Sequence, residues 1–482
     1  MSRARNAKRS GSTKTHPAGP KTLSDKKYFQ VAIQWLLKKN SFRNCRFHGN
    51  TKWLPIQLCV QALLWVWSSN KCVTKAFTES TGQAQTLVGQ AALSTFTGFM
   101  NALVKWTPSF MDEMQLRLHE LITEVSGRRY QTGRWVPIAA DGSRGSTPRT
   151  KSNEAAFCAQ NYGKGKTAKY RKKKTKGLRR RKNQKQKAQP QAPQIWITLM
   201  WHMGLGVPWC WKLGPSNSSE RHHVMELLES AHFLKNTLFV ADAGFVGYDL
   251  WSAILGKGHH FLVRVGGNVR LLKNLGYEVE KKGDYVYCWP KKVMEKKLPP
   301  LKLRLVKCVV GKKKMSLLTS VLDKEQLTDQ EVAQLYQDRW GVELEFRCLK
   351  QTFERRKLRS RNCDRALVEM DWSIFGMAVL ELFALKEQLQ QVDADPMKLS
   401  FAQVLDAVRT SLQHLGRRRA NAPDIATALR AALVDSYERK AAKDARYKST
   451  KKTKPSCGHP KILAANAKQR KIFKNIEMSC AT

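Results

Sequence analysis

Residues 335–353 read LYQDRWGVELEFRCLKQTF, and this stretch sets the expectations for the rest of the chain. It places Tyr336, Arg339, Glu343 and Lys350 at successive steps of three, four and seven residues. Because an α-helix turns once every 3.6 residues, these steps predict a helix that carries all four side chains near one face. A helix face that carries a carboxylate, a phenol and two cations is too polar to pack in a hydrophobic core. Such a face suits a metal ion held against a phosphate backbone.

Two further acids share a local pattern. Asp141 in VPIAADGSRG and Asp242 in TLFVADAGFVGYDLW each lie at or near the end of a short apolar run that a glycine-containing turn follows. From this position a buried strand presents a side chain at the rim of a sheet. We therefore expect Asp141, Asp242 and Glu343 to meet in space.

The helical repeat also predicts which way the neighbours of Glu343 face. Asp338 and Glu345 are the other nearby acids, and their positions in the helical repeat predict that they face solvent. Trp340 is predicted to lie on another face of the helix, in the core.

The charge balance indicates the partner. Lys and Arg number 86 against 38 Asp and Glu, which gives a formal net charge of +48 over 482 residues. Because each neutralised phosphate releases condensed counterions, a long polyanion is the natural ligand of such a chain. The eleven cysteines are scattered without a C-x-x-C pair, which argues against a zinc ribbon and a disulfide framework. We expect a reducing, cytoplasmic and nucleoid-associated location, with no membrane span.

Composition and periodicity divide the chain into seven segments. We predict an α/β fold in which a ribonuclease H-like mixed sheet, flanked by helices, is interrupted by a β-rich insertion. An all-α region precedes this sheet, and a small α-helical C-terminal module follows it. The predicted segments are a disordered basic tail (1–22), an all-α region (23–128), the first part of the α/β domain (129–265) with a basic loop (163–194), the β-rich insertion (266–322), the second part of the α/β domain (323–390), the helical module (391–439) and a loose basic tail (440–482).

The order of elements in the catalytic region carries the fold prediction. Strands are expected at 135–141, 155–162, 195–203 and 238–242, with helices before and after the last of them. Three antiparallel strands followed by alternating helix and strand is the order of a ribonuclease H-like sheet. In that fold the first and fourth strands bring their acids to one edge.

The motifs present in and absent from the sequence limit the reactions that the chain could catalyse. The chain has no G-x-S-x-G nucleophile elbow and no G-x-x-x-x-G-K-[ST] phosphate loop. Carboxylates together with a polyanionic partner favour metal-assisted phosphoryl transfer, in which two Mg²⁺ ions activate the attacking oxygen and stabilise the leaving oxygen. We expect Mn²⁺ to substitute for Mg²⁺.

The two aspartates and the Tyr-x2-Arg-x3-Glu-x6-Lys signature resemble the DDE-class transposases of bacterial insertion sequences, in the branch called the insertion-sequence-four family. The blocks DGSRGSTPRTKSNEAAF and VADAGFVGYDLW are similar to the family's first and second aspartate blocks. The β-rich stretch also lies where the family carries its insertion. The resemblance covers residues 135–350 well and is weak for the N-terminal helices. The basic loop after residue 162 departs from the family pattern.

The resemblance implies a role for eight residues. Asp141, Asp242 and Glu343 would be the catalytic metal ligands. DNA would be contacted by Tyr336, Arg339, Lys350, Arg144 and Trp289. Trp289 would stack on a flipped base, and its alternative is a buried core tryptophan.

The resemblance also implies an activity. The chain would be a DNA transposase that cuts and pastes an insertion sequence, nicking the transposon ends by hydrolysis and joining a 3′-hydroxyl to target DNA. Its partners would be double-stranded DNA carrying terminal inverted repeats, target DNA, and a second copy of the chain in a synaptic complex. Two alternatives remain open: a non-catalytic DNA-binding protein derived from a transposase, and a ribonuclease H-like nuclease without strand transfer.

Overall fold

The structure is a computed structural model that describes residues 23–38, 41, 42, 45, 47, 51–158, 192–276, 285–310, 313–391, 394–415, 423–434 and 458–480. The predicted N-terminal tail and almost all of the predicted basic loop lie outside these ranges.

Ten strands of the described ranges form one mixed sheet. Their bounds are β1 (Val136–Ser146), β2 (Gln194–His202), β3 (Val207–Gly214), β4 (Thr237–Ala241), β5 (His260–Val265), β6 (Arg270–Lys273), β7 (Tyr285–Cys288), β8 (Leu301–Val310), β9 (Lys313–Thr319) and β10 (Lys461–Ala464). The order across the sheet is β10-β6-β7-β8-β9-β5-β4-β1-β2-β3. Strand β1 pairs antiparallel with β2 and parallel with β4, and β4 pairs parallel with β5. The predicted α/β class with a mixed sheet is confirmed.

Helices cover the sheet and build the N- and C-terminal regions. Their bounds are α1 (Asp25–Leu36), α2 (Pro55–Trp67), α3 (Val73–Val88), α4 (Phe96–Ser126), α5 (Lys151–Phe157), α6 (Glu220–Ser230), α7 (Tyr248–Gly256), α8 (Lys291–Glu295), α9 (Asp329–Asp338), α10 (Gly341–Arg347), α11 (Cys363–Gln388), α12 (Phe401–Gln413), α13 (Ile425–Ala431) and α14 (Ala467–Cys480). None of the helices in the described ranges is long and apolar enough to cross a membrane.

Helix α11 is the core helix around which the helical regions pack. Its Trp372 and Phe375 are fully buried, as its apolar sequence predicts. The indole N–H of Trp67 at the end of α2 donates to the carbonyl of Gly376 in α11 over 3.0 Å. The buried Arg355 donates to the carbonyl of Val66 over 2.7 Å. These bonds join the N-terminal helices to the segment that follows the site helix.

One predicted strand is wrong. Residues 155–157 of the expected strand 155–162 belong to helix α5, and residues 159–162 lie outside the described ranges. The helix begins because the hydroxyl of Thr150 caps it, accepting a hydrogen bond from the amide of Asn153 over 3.2 Å. The third antiparallel strand is β3 instead, which follows β2 through a turn where Gly206 has a φ of 73°.

The C-terminal segment also differs from the expectation of a loose tail. Strand β10 pairs parallel with β6 at the edge of the sheet, and helix α14 follows it. Phe473 of α14 packs edge-on against Trp289, with ring centroids 6.3 Å apart. The strands of residues 270–319 agree with a β-rich insertion, while the domain boundaries themselves stay predictions.

Candidate active site

Asp141 and Asp242 lie side by side at the rim of the sheet. The parallel register of β1 and β4 pairs Ala140 with Ala241, so each aspartate is the next residue along the chain, Asp141 within β1 and Asp242 directly after β4. Adjacent strands run about 4.8 Å apart, which places the two backbones in direct proximity. The Oδ1 of Asp141 accepts the amide of Gly142 over 2.9 Å, and the Oδ1 of Asp242 caps the following turn. Strand β1 continues past Asp141 to Ser146, so the expected end of the first strand and the turn after Asp141 are wrong, and only Asp242 precedes a turn.

The signature stretch forms a helical path in three pieces. Helix α9 begins with the predicted capping box of Thr328 and Glu331. A tight turn then leads into α10, in which the amide of Glu343 bonds to the carbonyl of Trp340 three residues earlier. After α10 the residues Cys348–Thr352 form a π-helical turn. The predicted single helix is therefore interrupted twice, although its path continues through both interruptions.

Arg339 and Glu343 form an ion pair across the tight turn. The Nη2 of Arg339 lies 3.0 Å from the Oε1 of Glu343. The Arg339 residue is only 6% exposed, whereas one third of the Glu343 side chain remains accessible. The Nε and Nη1 groups of Arg339 are buried and have no hydrogen-bond acceptor among the described residues. Because a buried donor without an acceptor is costly, these two groups indicate an anionic ligand.

Lys350 reaches β1 from the π-helical turn. Its Nζ donates a hydrogen bond to the hydroxyl of Ser143, two residues after Asp141. Burial lowers the pKa of Lys350, while the charge of Asp141 opposes this shift. Tyr336 completes the signature: it is 7% exposed, and the guanidinium of Arg339 lies 5.5 Å from its ring centroid. All four signature residues therefore adjoin the rim that carries the aspartates.

The pKa of Asp141 reports how close the acids are. Burial raises the pKa of Asp141 to about 6. The negative charges of Asp242 and Glu343 act in the same direction, whereas the Gly142 amide and the Arg339 guanidinium lower the pKa. The structure therefore brings the three sequence-predicted acids within electrostatic reach of one another.

A fourth acid, which the sequence reasoning did not name, adjoins the same rim. Glu220 is the first residue of α6, the helix that precedes β4. Burial, together with the charges of Asp141 and Asp242, raises the pKa of its carboxyl to about 7. The position of Glu220 at the start of the helix before the second-aspartate strand is the sequence signal that identifies it.

The two remaining predicted DNA contacts lie in different surroundings. Arg144 is exposed on β1, three residues after Asp141, and its guanidinium stacks 4.4 Å from the ring centroid of Trp196. Trp289 is 5% exposed, and its indole N–H donates to the carbonyl of Leu298 over 2.9 Å. Stacking of a base on Trp289 requires this side chain to be uncovered.

Two expectations about the site helix are wrong. Glu345 is 5% exposed and not solvent-facing, and its neighbour in the core is Glu381. Trp340 is 53% exposed and does not lie in the core. The cause is that the core side of the helix runs through Arg339 and Glu345, while Trp340 lies beyond its edge. Asp338 is exposed, as expected.

The donor set fits a hard divalent cation. Across the described ranges, no three His, Cys, Asp or Glu side chains lie so that they could hold a metal ion together. Two carboxylates do converge, however. The point where a Cβ would stand at Gly244 lies 2.9 Å from Asp242 Oδ1 and 3.3 Å from Glu220 Oε2. Carboxylate oxygens are the ligands that Mg²⁺ and Mn²⁺ prefer, and glycine keeps the space beside them open.

Comparison with known proteins identifies a family that the chain resembles. The family described as the transposase DDE domain matches residues 165–376. The transposase InsG for insertion sequence element IS4 of Escherichia coli (strain K12) is 26% identical over 291 residues, which is 58% of this chain and 59% of that protein. The chain resembles the DDE transposases of IS4 type. The resemblance predicted from the signature stretch is confirmed.

The matched region of the chain includes Asp242 and Glu343, while Asp141 precedes it. The alignment spans about three-fifths of the length of the curated relative. Among solved structures, a chain from a cryo-EM structure of the piggyBac transposase synaptic complex with hairpin DNA is 13% identical. That similarity covers 90% of this chain and 81% of the other, with a TM-score of 0.36.

Proposed function

We propose that the chain is a DNA transposase that moves an insertion sequence by cut-and-paste transposition. It nicks the transposon ends by metal-dependent hydrolysis and then joins the 3′-hydroxyl to target DNA. The observation that carries this proposal is the meeting of Asp141, Asp242 and Glu343 at one rim, beside the buried donors of Arg339. Acids for a cation and donors for an anion in one place are what phosphoryl transfer requires.

The proposal includes a ribonuclease H-like core for the catalytic region. The order β3-β2-β1-β4-β5 supports it, because β1 to β3 are antiparallel while β4 and β5 run parallel to β1. In this arrangement Asp141, in the middle of β1, lies beside the carboxyl end of β4, which Asp242 follows. The division into an N-terminal DNA-end-binding region, a split catalytic domain and a C-terminal module belongs to the same proposal.

Asp141, Asp242 and Glu343 would hold divalent cations, two Mg²⁺ ions for which Mn²⁺ substitutes. When bound, such ions activate the attacking oxygen and stabilise the leaving oxygen. The charges of both Asp242 and Glu343 act on Asp141, which makes it the candidate to serve both ions. Burial is the main cause of the raised pKa of Asp141, and the charges of Asp242 and Glu343 add to it, so a bound cation would favour the ionised carboxylate.

The cations of the signature would position the DNA strand. The free Nε and Nη1 groups of Arg339 would donate to a phosphate, while its Nη2 holds Glu343 in place. Lys350 would supply a second positive charge on the β1 side, oriented by Ser143. The ring of Tyr336 would pack against the guanidinium of Arg339 and help to hold it in place. Arg144 and Trp289 remain proposed DNA contacts at the periphery.

The proposed partners are double-stranded DNA with terminal inverted repeats, target DNA and a second copy of the chain. The net charge of +48 supports a DNA partner. A non-catalytic DNA-binding protein would not need the three acids and the buried Arg339 together. A ribonuclease H-like nuclease would use the same site, and only its products distinguish it.

The proposal is tested by a product assay on plasmid DNA that carries the ends of the native element. Wild-type protein with Mg²⁺ should release ends bearing a 3′-hydroxyl and join them to a second plasmid. Nicks without joined products would favour the nuclease. DNA binding without nicks in either Mg²⁺ or Mn²⁺ would favour the non-catalytic protein.

A further inference from the structure

The C-terminal segment brings positive charges from three elements to the far edge of the sheet. Strand β10 pairs in parallel with β6, and helix α14 follows β10. Four exposed cations lie here, and we call them the edge cations: Arg270 on β6, Lys461 on β10, and Lys468 and Lys471 on α14. In the part of the chain that the structure describes, none of the four forms an ion pair with an acid.

Specific contacts fix this segment on the sheet. Before β10, the Nδ1 of His459 lies 2.8 Å from the hydroxyl oxygen of Ser316 on β9. In α14, the ring of Phe473 packs against Tyr287, with centroids 6.2 Å apart, as well as against Trp289. Because this side of α14 faces the sheet, its two edge lysines, three residues apart, lie together on the exposed side.

The register of β10 places two of the edge cations directly beside each other. Lys461 pairs with Arg270 across the parallel ladder, so the two side chains lie on the same face of the sheet. Like charges opposite each other on neighbouring strands repel. A negatively charged ligand removes this repulsion, and the register therefore indicates an anionic partner.

Sheet topology relates the edge cations to the rim that carries the aspartates. Strand β10 runs parallel to β6, and four antiparallel pairings then lead through β7, β8 and β9 to β5, which is parallel to β4. Since four reversals restore the direction, β10 and β4 run the same way. Helix α14 therefore follows the carboxyl end of β10 at the same edge of the sheet at which Asp242 follows β4.

We propose that the edge cations bind the phosphate backbone of the DNA duplex whose scissile phosphate lies at the rim of Asp141 and Asp242. This inference rests on the proposed function, which places a duplex at that rim. Strands β10 and β4 are six strand spacings apart, which is about 29 Å across the sheet. At 3.4 Å per base pair, this distance is about nine base pairs, so one duplex reaches both places.

A solvent-exposed helix face explains only part of this arrangement. Lysines on the outer side of an amphipathic helix also occur where they serve solubility alone. That explanation covers Lys468 and Lys471. It does not explain why Lys461 is held in register with Arg270, where each charge raises the cost of the other.

The first test measures how the affinity of the full chain for a duplex carrying the native element end depends on salt. Fluorescence anisotropy is recorded in a chelator, so that binding is observed without nicking. The variant Lys468→Gln with Lys471→Gln should bind on the order of tenfold more weakly at physiological salt. The slope of log affinity against log salt concentration should become shallower by about two, one for each lost phosphate contact.

The matched control is Lys235→Gln with Lys257→Gln. These exposed lysines precede β4 and β5, at the edge of the sheet opposite to the one that carries Asp242. The control should keep the wild-type affinity and slope. A test variant with the wild-type slope would overturn the proposal. Equal losses in the test variant and the control would also overturn it, because total charge alone would then set the affinity.

Thermal unfolding tests the strand pair separately. Without DNA, Arg270→Gln should unfold at the same or a higher temperature than wild type, because it removes the repulsion from Lys461. With the end duplex, the wild type should gain more stability than the variant. A lower unfolding temperature of Arg270→Gln without DNA would assign Arg270 a structural role and contradict its place among the phosphate contacts.

Duplex length and a second DNA molecule identify the DNA that is bound. An end duplex that extends about fifteen base pairs, roughly 51 Å, to each side of the scissile phosphate should show the full difference between wild type and the Lys468 and Lys471 variant. If this variant binds the end duplex like wild type but fails to join it to a target plasmid, the surface serves target DNA and the assignment is wrong. A wild-type chain that shows the slope difference but never nicks with Mg²⁺ would refute the proposed function and leave the binding surface standing.

Discussion

The Nη2 of Arg339 lies 3.0 Å from the Oε1 of Glu343, across the tight turn that joins α9 to α10. The pair couples a buried cation to a partly exposed acid, so one side chain orients the other. Since two further N–H groups of Arg339 have no acceptor among the described residues, the guanidinium is held ready for a second anion. The signature thus joins the cation-binding and phosphate-binding sides of the proposed site.

Replacing Arg339 by lysine should separate the contribution of its positive charge to nicking from that of the guanidinium geometry. Arg339→Lys keeps the positive charge but replaces the planar guanidinium, whose separate nitrogens can donate to Glu343 and to a phosphate, by a single ammonium nitrogen. We expect Mg²⁺-dependent nicking to fall about a hundredfold. The control is Arg347→Lys in the exposed last turn of α10, which should nick at the wild-type rate. Equal rates for all three proteins in a plasmid nicking assay would show that Arg339 acts only as a charge.

The packing of α10 against the sheet requires glycine at position 341. A Cβ at Gly341 would overlap the indole ring of Trp201 on β2, so glycine allows the helix that carries Glu343 to approach the sheet. We expect Gly341→Ala to lower the free energy of unfolding by about 1–3 kcal/mol. Nicking should fall as well, because Glu343 is displaced.

The control for this substitution is Gly82→Ala in the interior of α3, where a Cβ meets nothing within 4 Å. It should raise the free energy of unfolding by about 0.5–1 kcal/mol, since alanine favours a helix interior over glycine. Urea unfolding of both variants measures the difference. A Gly341→Ala variant as stable as Gly82→Ala would show that α10 does not depend on its contact with Trp201.

The buried acids behind the site predict a stability that depends on pH. Burial raises the pKa of Glu345 to about 8 and that of Glu381 well above its usual range. The folded state therefore binds more protons than the unfolded state above pH 4.5. The stability from this pair is fully present below pH 4.5 and is lost as the pH rises through about 8.

Glu381→Gln should flatten this dependence. Removing one protonated carboxyl should reduce the slope of the unfolding free energy between pH 5 and 9 by up to about 1.4 kcal/mol per pH unit. Urea unfolding at each pH provides the measurement. The exposed Glu229→Gln should keep the wild-type slope. An unchanged slope in Glu381→Gln would mean that this pair does not hold a proton in the folded state.

Much of the site follows from sequence because its parts obey short-range rules. The apolar run before Asp242 predicts β4, and the capping box of Thr328 and Glu331 predicts the start of α9. The meeting of the acids follows from the register of β1 with β4. These features depend on local patterns and on one parallel pairing.

Other parts depend on tertiary contacts that no local pattern contains. Glu345 has a polar side chain, yet it is buried against Glu381 in another helix. Trp340 is apolar, yet it is exposed. The charged Arg339 lies on the core side of the helix instead, where its guanidinium is paired with Glu343. The approach of Glu220 to the two aspartates depends on Gly142 and Gly244, which leave room for its carboxylate.

The most direct test of the account is Mg²⁺-dependent nicking of a supercoiled plasmid carrying the native element ends. Wild type is compared with Asp141→Asn, Asp242→Asn and Glu343→Gln, and DNA binding is measured for each by gel shift. We predict nicking by the wild type, a loss of at least about a thousandfold in each variant, and binding within a few-fold of wild type. Nicking that persists in all three variants, or that survives removal of the divalent cation, would contradict the account.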